Sequence, residues 1–122
     1  KVLLAGLPAE EQARLLPRQL IRHTPATITS PARLAEELAA VVAQGYALTL
    51  EEYEEGHSAI AAPIHNHEGC IVGALAISGP AFRLAQETLR EFAAPLRATA
   101  GLISGEMGYS GPAYHAAEGG RA

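Results

Sequence analysis

The chain has 122 residues, of which 48% are hydrophobic, so its length and apolar content predict a single domain with its own core. A formal net charge of -4 at pH 7 disfavours direct binding to nucleic acid, because that affinity depends on clustered Lys and Arg side chains. The single Cys excludes an internal disulfide and favours a reducing compartment, the cytoplasm. The sequence has no long apolar run and no secretion signal, which argues against membrane insertion and export.

The first third of the chain predicts two helices joined by an extended segment. Residues 8–16 begin with Pro and two Glu residues, which suit the positive end of a helix. Residues 24–31 contain two X-Pro steps and β-branched side chains, so we expect them to be extended. Ser30, followed by Pro, predicts the N-cap of a second helix over residues 31–44, and Gly45 is its expected left-handed cap.

Three strands are expected in the middle of the chain. A short strand over residues 46–50 is followed by a charged connection over residues 51–56. Residues 57–78 then predict two strands. Residues 66–69, with the sequence NHEG, predict the turn between them, because Asn favours the first turn position and Gly adopts the left-handed conformation of a G1 bulge.

Alternation of side chains along these two strands separates a bulky face from a small one. The bulky face collects Ser58, Ile60, Ala62, Ile64, Ile71, Leu75 and Ile77. The small face collects His57, Ala59, Ala61, Pro63, Cys70, Val72, Ala74, Ala76 and Ser78. We expect helices to pack on the bulky face and a shallow concavity to remain over the small one, which is the usual shape of a small-molecule site.

The last part of the chain predicts mostly helix. Leu and Phe side chains recur at near-helical spacing over residues 79–109, with a break expected at Pro95. Residues 110–122 have little apolar content, so we expect a flexible tail there. The prediction is therefore one domain over residues 1–109, followed by this tail.

The segment IHNHEGC, residues 64–70, contains two His residues, a Glu and the single Cys. A metal site needs three or four converging ligands, whereas a hairpin turn directs His67 away from the strand that carries His65. The turn explains the spacing, so no metal site is predicted. A metal-dependent hydrolase that uses His57, His65 and His67 remains an alternative, and so does an assembly module whose pocket has closed.

Several segments follow one another along residues 3–109: LLAGLP, TPATIT, ELAAVVAQGYAL, EEYEEGHSAIAAPI, HNHEG, GALAISGPAFRL and LISGEMGY. The most specific patterns among them are E-x-x-x-G-x-x-x-I-A-A-P-I and, after it, A-x-x-I-S-G-P. In order and spacing they resemble the C-terminal effector-binding domain of the IclR family of bacterial transcriptional regulators. The resemblance implies an α/β (α+β), GAF-like fold, with a curved antiparallel sheet flanked by helices and the N-terminal part of the domain absent.

The resemblance also implies a function without catalysis and without a cofactor. Such a domain binds a small organic effector, often a carboxylic or aromatic acid. Operator DNA is bound by an N-terminal winged helix-turn-helix that is not in this chain, in a homodimer or homotetramer. The abrupt start in an apolar helical phrase, KVLLAGLP, fits a fragment of such a longer protein.

Carried over position by position, the resemblance places the effector-binding residues on the small face: Thr49, His57, Ala59, Ala76 and Ser78. Family members that bind very small keto acids tend to have an acidic residue, a cysteine and two serines where Thr49, Ala59, Ala76 and Ser78 stand. Only one of those serines remains in this chain. We therefore expect a roomier and less polar pocket that takes a larger or more apolar effector.

Overall fold

The computed structural model describes residues 1–111 and shows a mixed α/β fold. The helices are α1 (Val2–Ala5), α2 (Ala9–Leu15), α3 (Pro31–Gln44), α4 (Gln86–Glu91) and α5 (Ala93–Glu106). The strands are β1 (Ala47–Leu50), β2 (His57–His65) and β3 (Ile71–Pro80). Residues 112–122 of the predicted tail lie outside this described part of the chain. Within residues 1–111, no helix is both long enough and apolar enough to cross a membrane.

Helix α3 has the bounds that its sequence predicts. The Ser30 hydroxyl accepts the backbone N–H of Arg33 at 3.3 Å, and Gly45 ends the helix in the left-handed conformation with φ of 82°. Both signals are local, since a capping hydroxyl satisfies a free N–H group and Gly adopts positive φ without steric cost.

The buried side chains of α1 and α3 form one small core with the start of β1, made of Val2, Ala5, Leu38, Val41 and Ala47.

The segment over residues 24–31, predicted to be extended, begins with a turn, whereas Ser30 near its end has an extended backbone with φ of -93° and ψ of 122°. The backbone N–H of Thr27 donates to the Thr24 carbonyl at 3.1 Å, because Pro25 suits the second position of a turn. The Thr24 hydroxyl donates to the Glu51 carbonyl at 2.5 Å, and the Thr27 hydroxyl donates to the carbonyl of Glu52. These bonds tie the turn at residues 24–27 to the loop after β1.

The three strands form one antiparallel sheet in the order β1-β2-β3. This confirms the predicted strands and the hairpin. Strand β3 runs two residues further than expected, to Pro80. In register, Thr49 of β1 lies beside Ala59 of β2, which lies beside Ser78 of β3.

The bulky face of the sheet packs against α4 and α5, as its composition predicts. Ile60 and Leu89 are both fully buried where they meet. The core on this side comprises Ile60, Ala62, Leu89, Ala93, Leu96 and Ala100. Helix α5 contacts β2 more extensively than it contacts any other strand, so the middle strand is held between β1 and β3 and covered by a helix.

Ile71 was assigned to the bulky face, and this assignment is wrong. The register of the pairing between β2 and β3 shifts between Ile64 and His65. Ile64 lies opposite Gly73, but His65 lies opposite Ile71 instead of Val72. Such an irregularity reverses the alternation of side chains along a strand. Ile71 consequently packs into the core of α1 and α3, and its Cδ1 lies 2.7 Å from where a Cβ on Gly6 would stand.

The helical region begins later than expected and breaks at a different residue. After β3, residues 81–83 form a turn, and α4 begins only at Gln86. The break lies at Phe92, between α4 and α5, whereas Pro95 is the third residue of α5. Proline is tolerated in the first turn of a helix because the N–H that it lacks has no acceptor there. The predicted break at Pro95 is therefore wrong by three residues.

Candidate functional site

A row of small polar and apolar residues crosses the sheet on the face opposite α5. Thr49, Ala59 and Ser78 are paired Cα to Cα across the three strands. Directly paired residues in an antiparallel sheet have their Cβ atoms about 4.5–5.5 Å apart. Two hydroxyl groups therefore flank one methyl group in this row.

Ala76 belongs to the neighbouring row of the same face. It is paired with Ala61, which is paired in turn with Ala47. Ala76 and Ser78 are exposed, while Ala59 and Ala61 are half-buried. Because all four side chains are small and Ala76 and Ser78 are exposed, this part of the sheet is a low floor. We call these residues, with Thr49, the small-residue floor.

His57 lies at the edge of this floor. It is the first residue of β2, is paired with Pro80 at the end of β3, and is exposed. By alternation it shares a face with Ala59, two residues along the strand. The sheet thus brings Thr49, Ala59, Ala76 and Ser78 together, and it places His57 at the rim.

Helices α1 and α3 wall one side of the floor. Their core reaches Ala61 and Ile71, so the hairpin end of this face is covered. The Lys1 ammonium group fastens this wall to β1, since it donates to Glu37 at 2.7 Å, to Glu52 at 2.7 Å and to the Leu48 carbonyl at 2.6 Å. An ammonium group has three N–H donors, so all three donors of the Lys1 side chain are engaged within the chain.

The three histidines of the hydrolase hypothesis do not converge. His57 and His65 are the first and last residues of β2, which puts them roughly 26 Å apart at about 3.3 Å per residue. His67 is exposed in the turn, with its Nε2 3.9 Å from a carboxylate oxygen of Glu68. Within residues 1–111, no three His, Cys, Asp or Glu side chains are grouped closely enough to hold a metal ion.

His65 is instead part of the packing between the sheet and the last helix. It is 6% exposed, its ring stacks on Tyr109 with centroids 4.7 Å apart, and its backbone N–H donates to the Ser104 hydroxyl at 2.9 Å. Burial lowers the pKa of His65 below its ordinary value of 6.5. The folded chain therefore favours the neutral imidazole.

The turn at Asn66 accounts for the motif that suggested a metal. The Asn66 side-chain oxygen accepts the N–H groups of Glu68 at 2.9 Å and Cys70 at 3.0 Å. Gly69 has φ of 82°, as the predicted left-handed position requires. One side chain and one glycine thus close the hairpin.

Replacing Asn66 with Ala should lower the free energy of unfolding by about 1–2 kcal/mol, because two backbone N–H groups lose their acceptor. Asn66→Asp keeps an acceptor oxygen and should cost less. Urea denaturation of both variants measures the difference. Equal stability of Asn66→Ala and the parent chain, or a parent melting temperature that falls on addition of a chelator, would contradict the assignment of this segment as a turn.

A separate cavity lies on the other side of the sheet, between β2 and α5, with a volume of about 310 Å³. None of the five predicted site residues lines it. Sequence reasoning missed this cavity, although one signal was present: Ala94, Ala98 and Gly101 are small residues at helical spacing on the face of α5 that lines it.

Comparison with known proteins identifies the family. Residues 1–105 match the family model described as the C-terminal domain of the bacterial transcriptional regulator IclR. The HTH-type transcriptional regulator XynR of Escherichia coli K12 is 41% identical over 93 residues, which are 75% of this chain and 37% of that protein. The chain spans 32–37% of the length of this and the two next curated relatives.

Two solved structures show the same arrangement. The C-terminal domain of the Escherichia coli regulator KdgR is 39% identical, with a TM-score of 0.80, over 88% of this chain and 66% of that one. The inducer-binding domain of the Acinetobacter transcription factor PobR, a double mutant in complex with 3-hydroxybenzoic acid, is 36% identical, with a TM-score of 0.77, over 84% and 60% of the two chains. The family match over residues 1–105 and these likenesses confirm the resemblance, and the chain belongs to the IclR family of bacterial transcriptional regulators, within their C-terminal domain.

Proposed function

We propose that this chain is the small-molecule sensor of a bacterial transcriptional regulator, and that an effector bound on the small-residue floor alters DNA binding by a separate winged helix-turn-helix domain. The observation that carries the proposal is the row of Thr49, Ala59 and Ser78 on an open face of the sheet, in a chain of this family. Regulators of this kind act by binding, so no catalytic group is assigned.

The chemistry of the floor favours an organic acid with an apolar body. The hydroxyls of Thr49 and Ser78 can donate to a carboxylate or to a phenolic oxygen, while Ala59 and Ala76 offer methyl groups to a ring. A floor of alanines leaves more room than serine and cysteine side chains would. PobR, whose inducer-binding domain was solved with 3-hydroxybenzoic acid, supports an aromatic acid as the first class to test.

The proposed mechanism is a shift between two arrangements of the regulator. An effector that binds one arrangement better changes operator affinity by no more than its differential binding free energy, typically about 1–3 kcal/mol. The net charge of -4 is consistent with DNA contact through another domain. We place the regulator in the cytoplasm, as a homodimer or homotetramer in which exposed apolar side chains such as Leu102 and Phe82 are available for contact.

A thermal-shift screen of this chain against 3-hydroxybenzoate, benzoate and small keto acids, with and without a chelator, tests the proposal. A ligand at about one hundred times its Kd adds about 2.7 kcal/mol, a rise of several degrees for a domain of this size. We expect a rise with aromatic acids that the chelator does not alter.

The Ser78→Ala variant should weaken effector binding about threefold to tenfold, because one hydrogen bond to the ligand contributes about 0.5–1.5 kcal/mol. Thr99→Ala, which removes an exposed hydroxyl on α5, is the matched control and should leave the affinity unchanged. Isothermal titration of the acid found in the screen gives both values. A stable oligomer that responds to no acid would favour the assembly module, and equal affinities of the two variants would remove Ser78 from the site.

A further inference from the structure

We propose that the cavity between β2 and α5 is a second small-molecule site, which takes a compact apolar carboxylic acid with Arg97 as the partner of the carboxylate. The cavity lies behind the sheet, on the side of α5, whereas the small-residue floor faces the other way. The second site therefore stands independently of the proposed effector site.

The unequal lengths of β1 and β2 open this cavity. Strand β1 begins at Ala47, whose partner is Ala61, so residues 62–65 of β2 run on beyond the end of β1. The chain enters β1 through Gly45, whose φ of 82° turns it at the mouth of the cavity. A stretch of strand edge is thus left for something other than β1 to cover.

Helix α5 runs alongside that edge and leaves an open cleft between them, since its lining residues Ala94, Ala98 and Gly101 are exposed. Its residues Ala94, Ala98 and Gly101 line the cavity, and none of them has a side chain longer than a methyl group. The resulting volume of about 310 Å³ lies at the lower end of the range of small-ligand pockets, about 300–1,000 Å³. This volume suits a single ring or a short branched chain.

The walls are largely apolar, and their internal polar groups are already bonded. Ala62 and Pro63 line the cavity from β2. The Ser104 hydroxyl donates to the Ala100 carbonyl at 2.9 Å and accepts the His65 N–H at 2.9 Å, so its one donor is engaged. The body of a ligand would therefore meet methyl groups, a proline ring and the side chain of Tyr109.

Arg97 supplies the charge that selects the class of ligand. Its side chain packs against Gly45, which also lines the cavity: Nε lies 2.9 Å from the position that a Cβ atom on Gly45 would occupy. Arg97 is exposed. Among residues 1–111, no ion pair involves Arg97, and none of the described residues that line the cavity is acidic. A guanidinium group binds a carboxylate with two parallel hydrogen bonds. A cation without an ion-pair partner among residues 1–111, at the mouth of a largely apolar cavity, is thus complementary to an apolar monocarboxylate.

Gly101→Leu is the variant that tests the site. A Cβ on Gly101 would meet nothing within 4 Å, so the new side chain enters open space, and Leu favours a helix more than Gly does. Gly105→Leu is the matched control, since Gly105 is also in α5 with nothing within 4 Å but does not line the cavity. Both variants should fold.

The probes are benzoate and its uncharged analogue benzamide, titrated against the ¹⁵N-labelled chain while amide chemical shifts are followed by NMR. We expect benzoate to shift the amides of Ala62, Arg97 and Gly101 with a single saturation curve. Gly101→Leu and Arg97→Gln should each weaken that curve by about tenfold or more, whereas Gly105→Leu should change it less than twofold. Benzamide should not saturate these amides.

The same titration on Ser78→Ala separates this site from the effector site. In that variant, the saturation curve of the amides that line the cavity should be unchanged, even if binding at the small-residue floor is weakened. The proposal is overturned if benzoate leaves these amides unshifted, or if Gly101→Leu binds as tightly as Gly105→Leu. It is also overturned if Gly101→Leu changes only the sedimentation of the chain, since the cavity would then be a contact between copies.

Discussion

Replacing Ile60 with Ala should lower the free energy of unfolding by about 2–5 kcal/mol, the range for large-to-small changes in a close-packed core. Ile60 is fully buried in the middle strand of the sheet. It is paired with Leu48 and Ile77 on either side and packs in one core with Leu89 and Leu96. Truncation would leave a cavity that neighbours on both strands and both helices cannot close.

Leu102→Ala is the matched control for Ile60→Ala. Leu102 is an aliphatic residue of α5 that is 73% exposed, so its truncation should change the stability by no more than about 0.5 kcal/mol. Urea denaturation followed by circular dichroism compares the two variants. Similar losses in both would mean that the bulky face of the sheet is not packed as described.

Replacing Ala76 with Leu should weaken effector binding by at least about a hundredfold, which corresponds to about 2.7 kcal/mol. Ala76 is exposed on the small-residue floor, in the row beside Thr49, Ala59 and Ser78. A leucine there would occupy the volume proposed for the apolar body of the effector. Because Ala76 does not belong to the core against α5, the fold should tolerate the change.

Ala40→Leu controls for the added side chain, since Ala40 is exposed on α3 and outside the floor. Its effector affinity should match that of the parent chain, and both variants should keep the circular dichroism spectrum of the fold. Isothermal titration with the acid that gave the largest thermal shift measures both. Unimpaired binding by Ala76→Leu would place the effector elsewhere.

Local signals in the sequence were sufficient where one or two residues determine the backbone. Ser30 and Gly45 specify both ends of α3, and Asn66 and Gly69 specify the hairpin turn. Each acts through a hydrogen bond or a backbone conformation within a few residues. Such interactions can be read from the sequence without knowledge of the rest of the fold.

The errors arose where tertiary structure decides. Ile71 changed faces because of a register shift that no local residue pattern announces. Proline in a helical pattern predicts a break, yet Pro95 is the third residue of α5, where the helix tolerates it. Near the start of that helix, Leu89 is buried and Phe92 packs against the same core below the sheet.

Part of the candidate site can be predicted from the sequence, and the rest depends on tertiary structure. Alternation placed Ala59, Ala76 and Ser78 on one face, and the pairing with Thr49 follows from a strand register that only the structure supplies. The cavity behind the sheet depends on where β1 begins relative to β2. A difference in strand lengths across a sheet is not a property of any single segment.

Amide chemical-shift mapping of 3-hydroxybenzoate on the parent chain tests the central claim most directly. The proposed effector site predicts saturable shifts at Thr49, Ala59 and Ser78, which lie on three different strands but in one row. Their curves should coincide and should be lost together in Ala76→Leu. Saturable shifts confined to the α5 side of the sheet, or no saturable shift at all for any aromatic acid, would contradict the assignment of this floor as the effector site.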